Sequence, residues 1–217
     1  MKRIITGILV LGIAAGAQAQ SPTVVMDRAA KQYTDMRSMR ADFSQTITNP
    51  LTGTKAKSRG VIVRKDPNLL SITFSNPKGD RIVSDGTSLW VYLPSSAPGQ
   101  VMKLSAAGGG TMGMVDPGGL FLSSPSSRFT ISSSGAGSIG GRRATILNLV
   151  PKGANSPFSS ARVWVDAADY SVRQFEVVDI NGLTRLVTIS NVRPNVSVGA
   201  GEFQFTPPRN TRVIGGM

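Results

Sequence analysis

The sequence predicts a mainly β protein: one antiparallel sheet that curls strongly on itself, preceded by a single long helix. Three observations carry this. Turn signals recur at short intervals, at Asn49-Pro50, Asp66-Pro67, Asn76-Pro77, Asp85-Gly86, Pro98-Gly99 and Asn181-Gly182, and so many consecutive hairpins imply a wide sheet that must curve or split. Only one segment has extended helical spacing. Several strands also lose strict alternation, with "LWVYL", "TILNLV" and "VRQFEVVDI" placing bulky groups on both faces. A sheet with two apolar faces must have both covered, or must line a cavity with one of them.

Ser21-Pro22 reads as a helix start, Ser as cap and Pro in the first turn. Val25, Ala29, Tyr33 and Met36 then recur at helical spacing, so an amphipathic helix is expected to end near Met39. From Ala41 the period becomes two, with Ala41, Phe43, Gln45 and Ile47 on one side of a strand. Further strands are expected at 57–64, 69–75, 80–84, 88–93, 100–105, 127–133, 143–151, 160–166, 171–180 and 183–192. Asn181-Gly182 suits a type I′ hairpin turn, which needs positive φ at both central residues. Residues 106–126 mix glycine with Met112, Met114, Leu120, Phe121 and Leu122 and suggest one or two short helices. The segment 132–141, "SSSGAGSIGG", reads as a Ser/Gly loop.

The chain of 217 residues opens with Lys2 and Arg3, an apolar run from Ile4 to Ala15 and a small-x-small site at Ala17-Gln18-Ala19. This is the layout of a cleavable signal peptide over residues 1–19; the run is short of the ~20 residues of a membrane span. One domain over 20–217 and a periplasmic location are expected. Formal charge is +12, or +10 without Lys2 and Arg3, and the basic residues are scattered. A nucleic-acid partner is not expected. An anionic membrane surface, an acidic protein partner and a plain solvated basic surface all remain open.

The chain has neither Cys nor His, which excludes disulfides, thiol nucleophiles and imidazole bases. Gly135-Ala136-Gly137-Ser138-Ile139-Gly140 fits the glycine pattern of dinucleotide sites, but strand-like "RRATILNLV" follows where that site needs a helix. Asp166, Asp169 and Asp85 sit at turns, where Asp is common for local hydrogen bonding. No catalytic residue, cofactor or metal site is assigned, and the chain is not expected to be an enzyme.

The motifs "FSQTI", "GVIVRKDPNLLSITFSNPKGDRIVSDGTSLWVYLP", "VWVDAADYSVRQFEVVDINGLTRLVTISNV" and "GEFQFTPPRNTRVI" together resemble the periplasmic outer-membrane lipoprotein carrier family, LolA. The resemblance covers most of the chain after the leader, in the family's order. It implies an incomplete, strongly curved β-barrel with a helical lid over a hydrophobic cavity. The implied cargo is acylated lipoprotein, taken from an inner-membrane ABC-type release complex and given to an outer-membrane lipoprotein acceptor, by a monomer. The same resemblance admits a carrier of another lipid or glycolipid, or a periplasmic sensor or adaptor module that binds a peptide.

In the family an Arg precedes the Pro that opens the third strand and ties the lid closed; here that position is Asp66. Arg64, two residues earlier on the same strand face, is the candidate latch. Leu70, Ile72 and Phe74 are expected to line the cavity. In the 88–93 strand, Trp90 and Tyr92 share one face while Leu89, Val91 and Leu93 share the other. The expectation leans to Trp90 and Tyr92 inward, because large rings suit a cavity mouth where a hydroxyl reaches water. Met112, Met114, Leu120 and Phe121 are the expected lid. An ordinary core beneath the helices is the competing reading of all these apolar residues.

Overall fold

In the computed structural model, which describes residues 20–106, 121–154 and 156–215, the chain enters through helix α1 (Pro22–Asp35). Ser21 occupies the cap position, although its side chain makes no capping bond. Val25, Met26, Ala29 and Ala30 are the buried stripe. The helix stops at Asp35 rather than near Met39. Met36 is already extended, and Ser38 and Met39 pair with Lys65 and Arg64 of a neighbouring strand. Helical spacing persists to Met36, but ladder pairing claims the backbone from Ser38 onward.

Six strands follow: β1 (Ser38–Thr48), β2 (Lys55–Lys65), β3 (Leu69–Asn76), β4 (Arg81–Asp85), β5 (Ser88–Tyr92) and β6 (Gln100–Ser105). A short helix α2 (Pro125–Arg128) leads into β7 (Phe129–Ile139), β8 (Arg142–Pro151), β9 (Phe158–Asp166), β10 (Val172–Asp179) and β11 (Thr184–Pro194). A 3-10 turn (Ala200–Phe203) and β12 (Arg212–Gly215) close the chain. All twelve strands form one sheet in the order β12-β6-β5-β4-β3-β2-β1-β11-β10-β9-β8-β7. Every neighbouring pair is antiparallel except β12 with β6, which is parallel. The join of β1 to β11 unites the two hairpin series, and the outermost strands β12 and β7 leave the sheet open. It is an incomplete, curved barrel, as the hairpin series implies.

Two local expectations are corrected. Most of the Ser/Gly segment 132–141 is strand, because β7 runs on in register with β8, down to Ile139 opposite Arg142. The register shifts between Ser133 and Gly135, and Gly135 has φ +100°; the glycine permits a bulge in an edge strand rather than ending it. The Asn181-Gly182 turn is not type I′, since of its two residues only Gly182 has positive φ. The Gly182 N–H bonds the Asp179 carbonyl, and the Asp179 N–H bonds that of Leu183. This is the three-residue hairpin in which a left-handed glycine completes a bulge.

The concave face has two parts. Across β8, β9 and β10, the residues Leu147, Leu149, Ala161, Val163 and Phe175 are buried in one cluster with the α1 stripe, Phe121 and Leu122. Phe121 meets Phe175 edge to face with ring centres 5.2 Å apart, and Phe129 stacks on Phe158 at 5.8 Å. Across β1 to β6 and β11 the face is equally apolar, but it borders a cavity.

Candidate functional site

The cavity measures about 540 Å³, within the range of roughly 300–1,000 Å³ usual for small-molecule sites. Strand pairing builds it row by row. Arg64, Leu70, Ser84, Leu89 and Leu104 are successive cross-strand partners from β2 to β6. Ile62, Ile72, Ile82, Val91 and Met102 form the next row. A third row crosses the join, with Gly60, Phe43 and Ile189 in register and Phe74 opposite Gly60. With no side chain at Gly60, the rings of Phe43 and Phe74 meet edge to face at 5.3 Å. A Cβ there would lie 2.1 Å from the Thr73 carbonyl oxygen, so only glycine fits this crossing.

Leu70, Ile72 and Phe74 all line the cavity. In the 88–93 strand, the lean toward Trp90 and Tyr92 is overturned: Leu89, Val91 and Leu93 line the cavity instead. The register decides it, because Leu89 lies opposite Ser84 and Val91 opposite Ile82, in the rows begun by Leu70 and Ile72. Trp90 and Tyr92 take the convex face, where each ring lies 5.8 Å from Phe205. The Trp90 indole N–H donates to Asp85 Oδ2 at 3.3 Å, and Lys103 Nζ sits 4.9 Å from the ring centre. Val63, Ser71 and Val83 continue that row and are buried, with the turn that holds Phe203 against β3 and β4. Both faces of "LWVYL" are therefore accounted for: one borders the cavity, and the C-terminal segment covers the other.

Arg64 is only 14% exposed and reaches from β2 to the end of α1. Its Nη2 donates to the carbonyls of Tyr33, at 3.1 Å, and Met36, acceptors that a helix C-terminus leaves without intrahelical partners. The guanidinium lies 4.2 Å from the Tyr33 ring centre, and Nη1 donates to Asp66 at 3.0 Å. Asp66, where the resemblance expects an Arg, thus positions Arg64. Of the residues expected to form a lid, Phe121 is fully buried against Phe175; Met112, Met114 and Leu120 lie outside the described residues.

Sequence reasoning missed Tyr33, Ile62, Ile82, Val187, Ile189 and Arg185 as lining residues. The signal for part of the wall is present, since the period-two side of β1 (Phe43, Gln45, Ile47) is the inward side. Arg185 is the unexpected one. It lies opposite Ile47 in β11; burial lowers its pKa from the ordinary Arg value, with Asp179 acting against that shift. Near it, Gln45 Nε2 donates to Ser58 Oγ at 3.2 Å, which makes this end of the wall the more polar one.

The paired carboxylates are structural. Asp166, with its side chain 2% exposed, accepts from Arg142 and, at 3.2 Å, from Arg173. Asp169 accepts from the same two guanidinium groups at 3.3 and 2.8 Å. Burial acts to raise both carboxyl pKa values. At Asp166 the Arg142 and Ala168 hydrogen bonds and both Arg charges outweigh it; at Asp169 the Ser171 hydrogen bonds and Arg173 do so. Among the described residues no group of three or more His, Cys, Asp and Glu side chains could hold a metal.

Known proteins match along nearly the whole chain. It is 25% identical over 213 residues to an outer-membrane lipoprotein carrier protein of Yersinia pestis, covering 96% of each chain. It is 26% identical over 192 residues to the protein of that name in Serratia proteamaculans, covering 87% of this chain and 88% of that one. In fold it is similar to an uncharacterized conserved protein of Thermus thermophilus, with a TM-score of 0.57 and 13% identity over 91% of this chain and 100% of the other. The model of the family described as "Outer membrane lipoprotein carrier protein LolA" matches residues 34–206, a span that runs from the end of α1 through the cavity strands to the C-terminal segment against Trp90, and the chain belongs to that family.

Proposed function

We propose that this protein carries acylated lipoproteins through the periplasm, holding their acyl chains in the cavity between β1–β6, β11 and α1. The observation that carries the reading is an apolar wall of Phe43, Ile62, Leu70, Ile72, Phe74, Leu89 and Val91 around about 540 Å³. An acyl chain left in water costs about 0.8 kcal/mol per CH₂, on the order of 10 kcal/mol for a long chain. Lipoproteins therefore need shelter to cross an aqueous compartment. In this reading residues 1–19 are removed on export, and cargo passes from an inner-membrane ABC-type release complex to an outer-membrane acceptor. Nothing in the transfer calls for bond-making by the carrier.

Arg64 acts as the latch. Its two bonds to the end of α1 hold the helix against the cavity rim, and a helix swung away would break both. The test is native mass spectrometry on protein taken from its own periplasm without detergent, followed by organic extraction. A bound mass equal to an acylated lipoprotein supports the reading. A free lipid or glycolipid moves the function to lipid transport, and a bound peptide without acyl chains moves it to a sensor or adaptor role.

A further inference from the structure

Antiparallel order sends the β1–β2, β3–β4, β5–β6 and β10–β11 turns to one end of the sheet, opposite the β2–β3 turn beside which Arg64 holds α1. Two of these turns end in large apolar side chains that cover nothing: Leu51 is 89% exposed and Ile180 is 71% exposed. The two tips are neighbours, because β1 and β11 stay paired as far as Thr48 opposite Thr184, and a Cβ on Gly182 would lie 3.6 Å from Pro50. Neither tip is loose. Asn49 Oδ1 accepts the Leu51 N–H at 2.9 Å, and Asp179 Oδ1 accepts those of Asn181 and Leu183 at 2.7 and 2.9 Å. Both turns are built to present one apolar residue each.

The fully exposed charges of these turns are basic. Lys55 and Lys57 start β2, Lys78 lies in the β3–β4 turn, and Arg212 is tied by its N–H to Gly99 of the β5–β6 turn; all four are exposed. The acidic residues of these turns are used internally, Asp179 as above and Asp80 by Ser95 at 2.6 Å. The cavity also reaches this end, since Ile47, Ala56 and Arg185 line it within a few residues of the two tips.

We propose that this end of the barrel seats on an anionic membrane surface, Leu51 and Ile180 dipping into the interface and the four cations meeting lipid phosphates. Apolar tips that share one end of a sheet with exposed Lys and Arg are the pattern that binds anionic interfaces, each part too weak alone. Seating would bring the cavity end against the bilayer. Of the six residues only Lys57 also borders the cavity; the two apolar tips lie outside it, so the surface binds membrane whether or not the cavity holds acyl chains.

The test uses protein expressed from its full sequence and purified from the periplasm, sedimented with vesicles of phosphatidylcholine containing about one-third phosphatidylglycerol. Wild type is expected to sediment with these and not with pure phosphatidylcholine, and the binding should fall with added salt. The Leu51→Asp/Ile180→Asp variant should partition about tenfold less, with an unchanged melting temperature and unchanged binding of a fluorescent fatty acid. Equal sedimentation of variant and wild type overturns the proposal. So does failure of wild type to sediment with anionic vesicles while it sediments with protein-containing inner-membrane vesicles, which would assign the surface to a protein partner. A wild type that sediments as expected but takes up no fatty acid supports the membrane surface and counts against the carrier reading alone.

Discussion

The apolar side chains on the two halves of the concave face are of the same kinds and behave differently. On β8 and β9, Leu147, Leu149, Ala161 and Val163 are buried in one cluster with the α1 stripe and Phe121 and are sealed, and Phe175 of β10 marks the border, packed on Phe121 and lining the cavity. On β1 to β6 and β11, Phe43, Ile62, Ile72, Val91 and Ile189 are as apolar, yet they border the cavity. Their apolar residue types do not separate them; the path of α1 does. The helix rests on β7, β8 and β9 and reaches the open half only with its last turns, through Ala29, Tyr33 and Met36. Filling one half of a curled sheet and bridging the other gives a stable scaffold with an apolar chamber beside it.

Truncation in the packed half should do the most damage. Phe121→Ala, at a fully buried ring on Phe175, should cost about 3–5 kcal/mol in urea unfolding. Replacing the buried Asp166 with Ala should cost less, about 1–3 kcal/mol, because Arg142 and Arg173 each lose one acceptor while Asp169 still holds both. The pH dependence follows from the sign: Asp166 and Asp169 titrate lower folded than unfolded. Their contribution is present above the unfolded value near 4 and is lost as pH falls through the folded values. Unfolding free energy should therefore decline below about pH 4 in wild type, and less steeply in Asp166→Asn.

In the open half Ile72→Ala should cost only about 1–2 kcal/mol, since a wall side chain already lacks partners on its cavity side. A loss as large as that of Phe121→Ala would mean the two halves are equally packed. Leu70→Glu should abolish binding of a fluorescent fatty acid with the circular dichroism of the fold retained, whereas Trp90→Ala, on the convex face, should leave binding within about twofold. If Trp90→Ala empties the cavity as well, the assignment of faces is wrong. Arg64 gives the most local readout: Arg64→Leu should speed amide exchange over residues 33–37 and cost about 1–3 kcal/mol through two carbonyls left without their donor. Exchange confined to its wild-type rate there would remove Arg64 from that role.

Much of this molecule is legible in its residues. Turn dipeptides and period-two runs mark most of the strands, the lost alternation in "LWVYL" announces two covered faces, whereas "TILNLV" leaves Val150 of its outer face 51% exposed, and the ordered motifs point to the family. Period two alone sets Leu70, Ile72 and Phe74 on one shared face. Local pattern misleads where ladder pairing overrides it: Ser38 and Met39 leave the helix for β2, and the glycine-rich 132–139 stretch becomes strand against β8. Arg185 carries no sequence signal, because a cation in a strand reads as a solvent-facing residue.

Residue type and spacing are enough to require that a wide antiparallel sheet curl, that thiol and imidazole chemistry be excluded, and that some strands bury both faces. Each of these acts through near neighbours in the chain. Which face of residues 88–93 meets the cavity is a different kind of fact. Period two is the same read from either side until cross-strand register and the C-terminal Phe205 choose. The position of the cavity beside α1 rather than beneath it is likewise settled by packing, by where a 14-residue helix comes to rest on a sheet wider than it can cover.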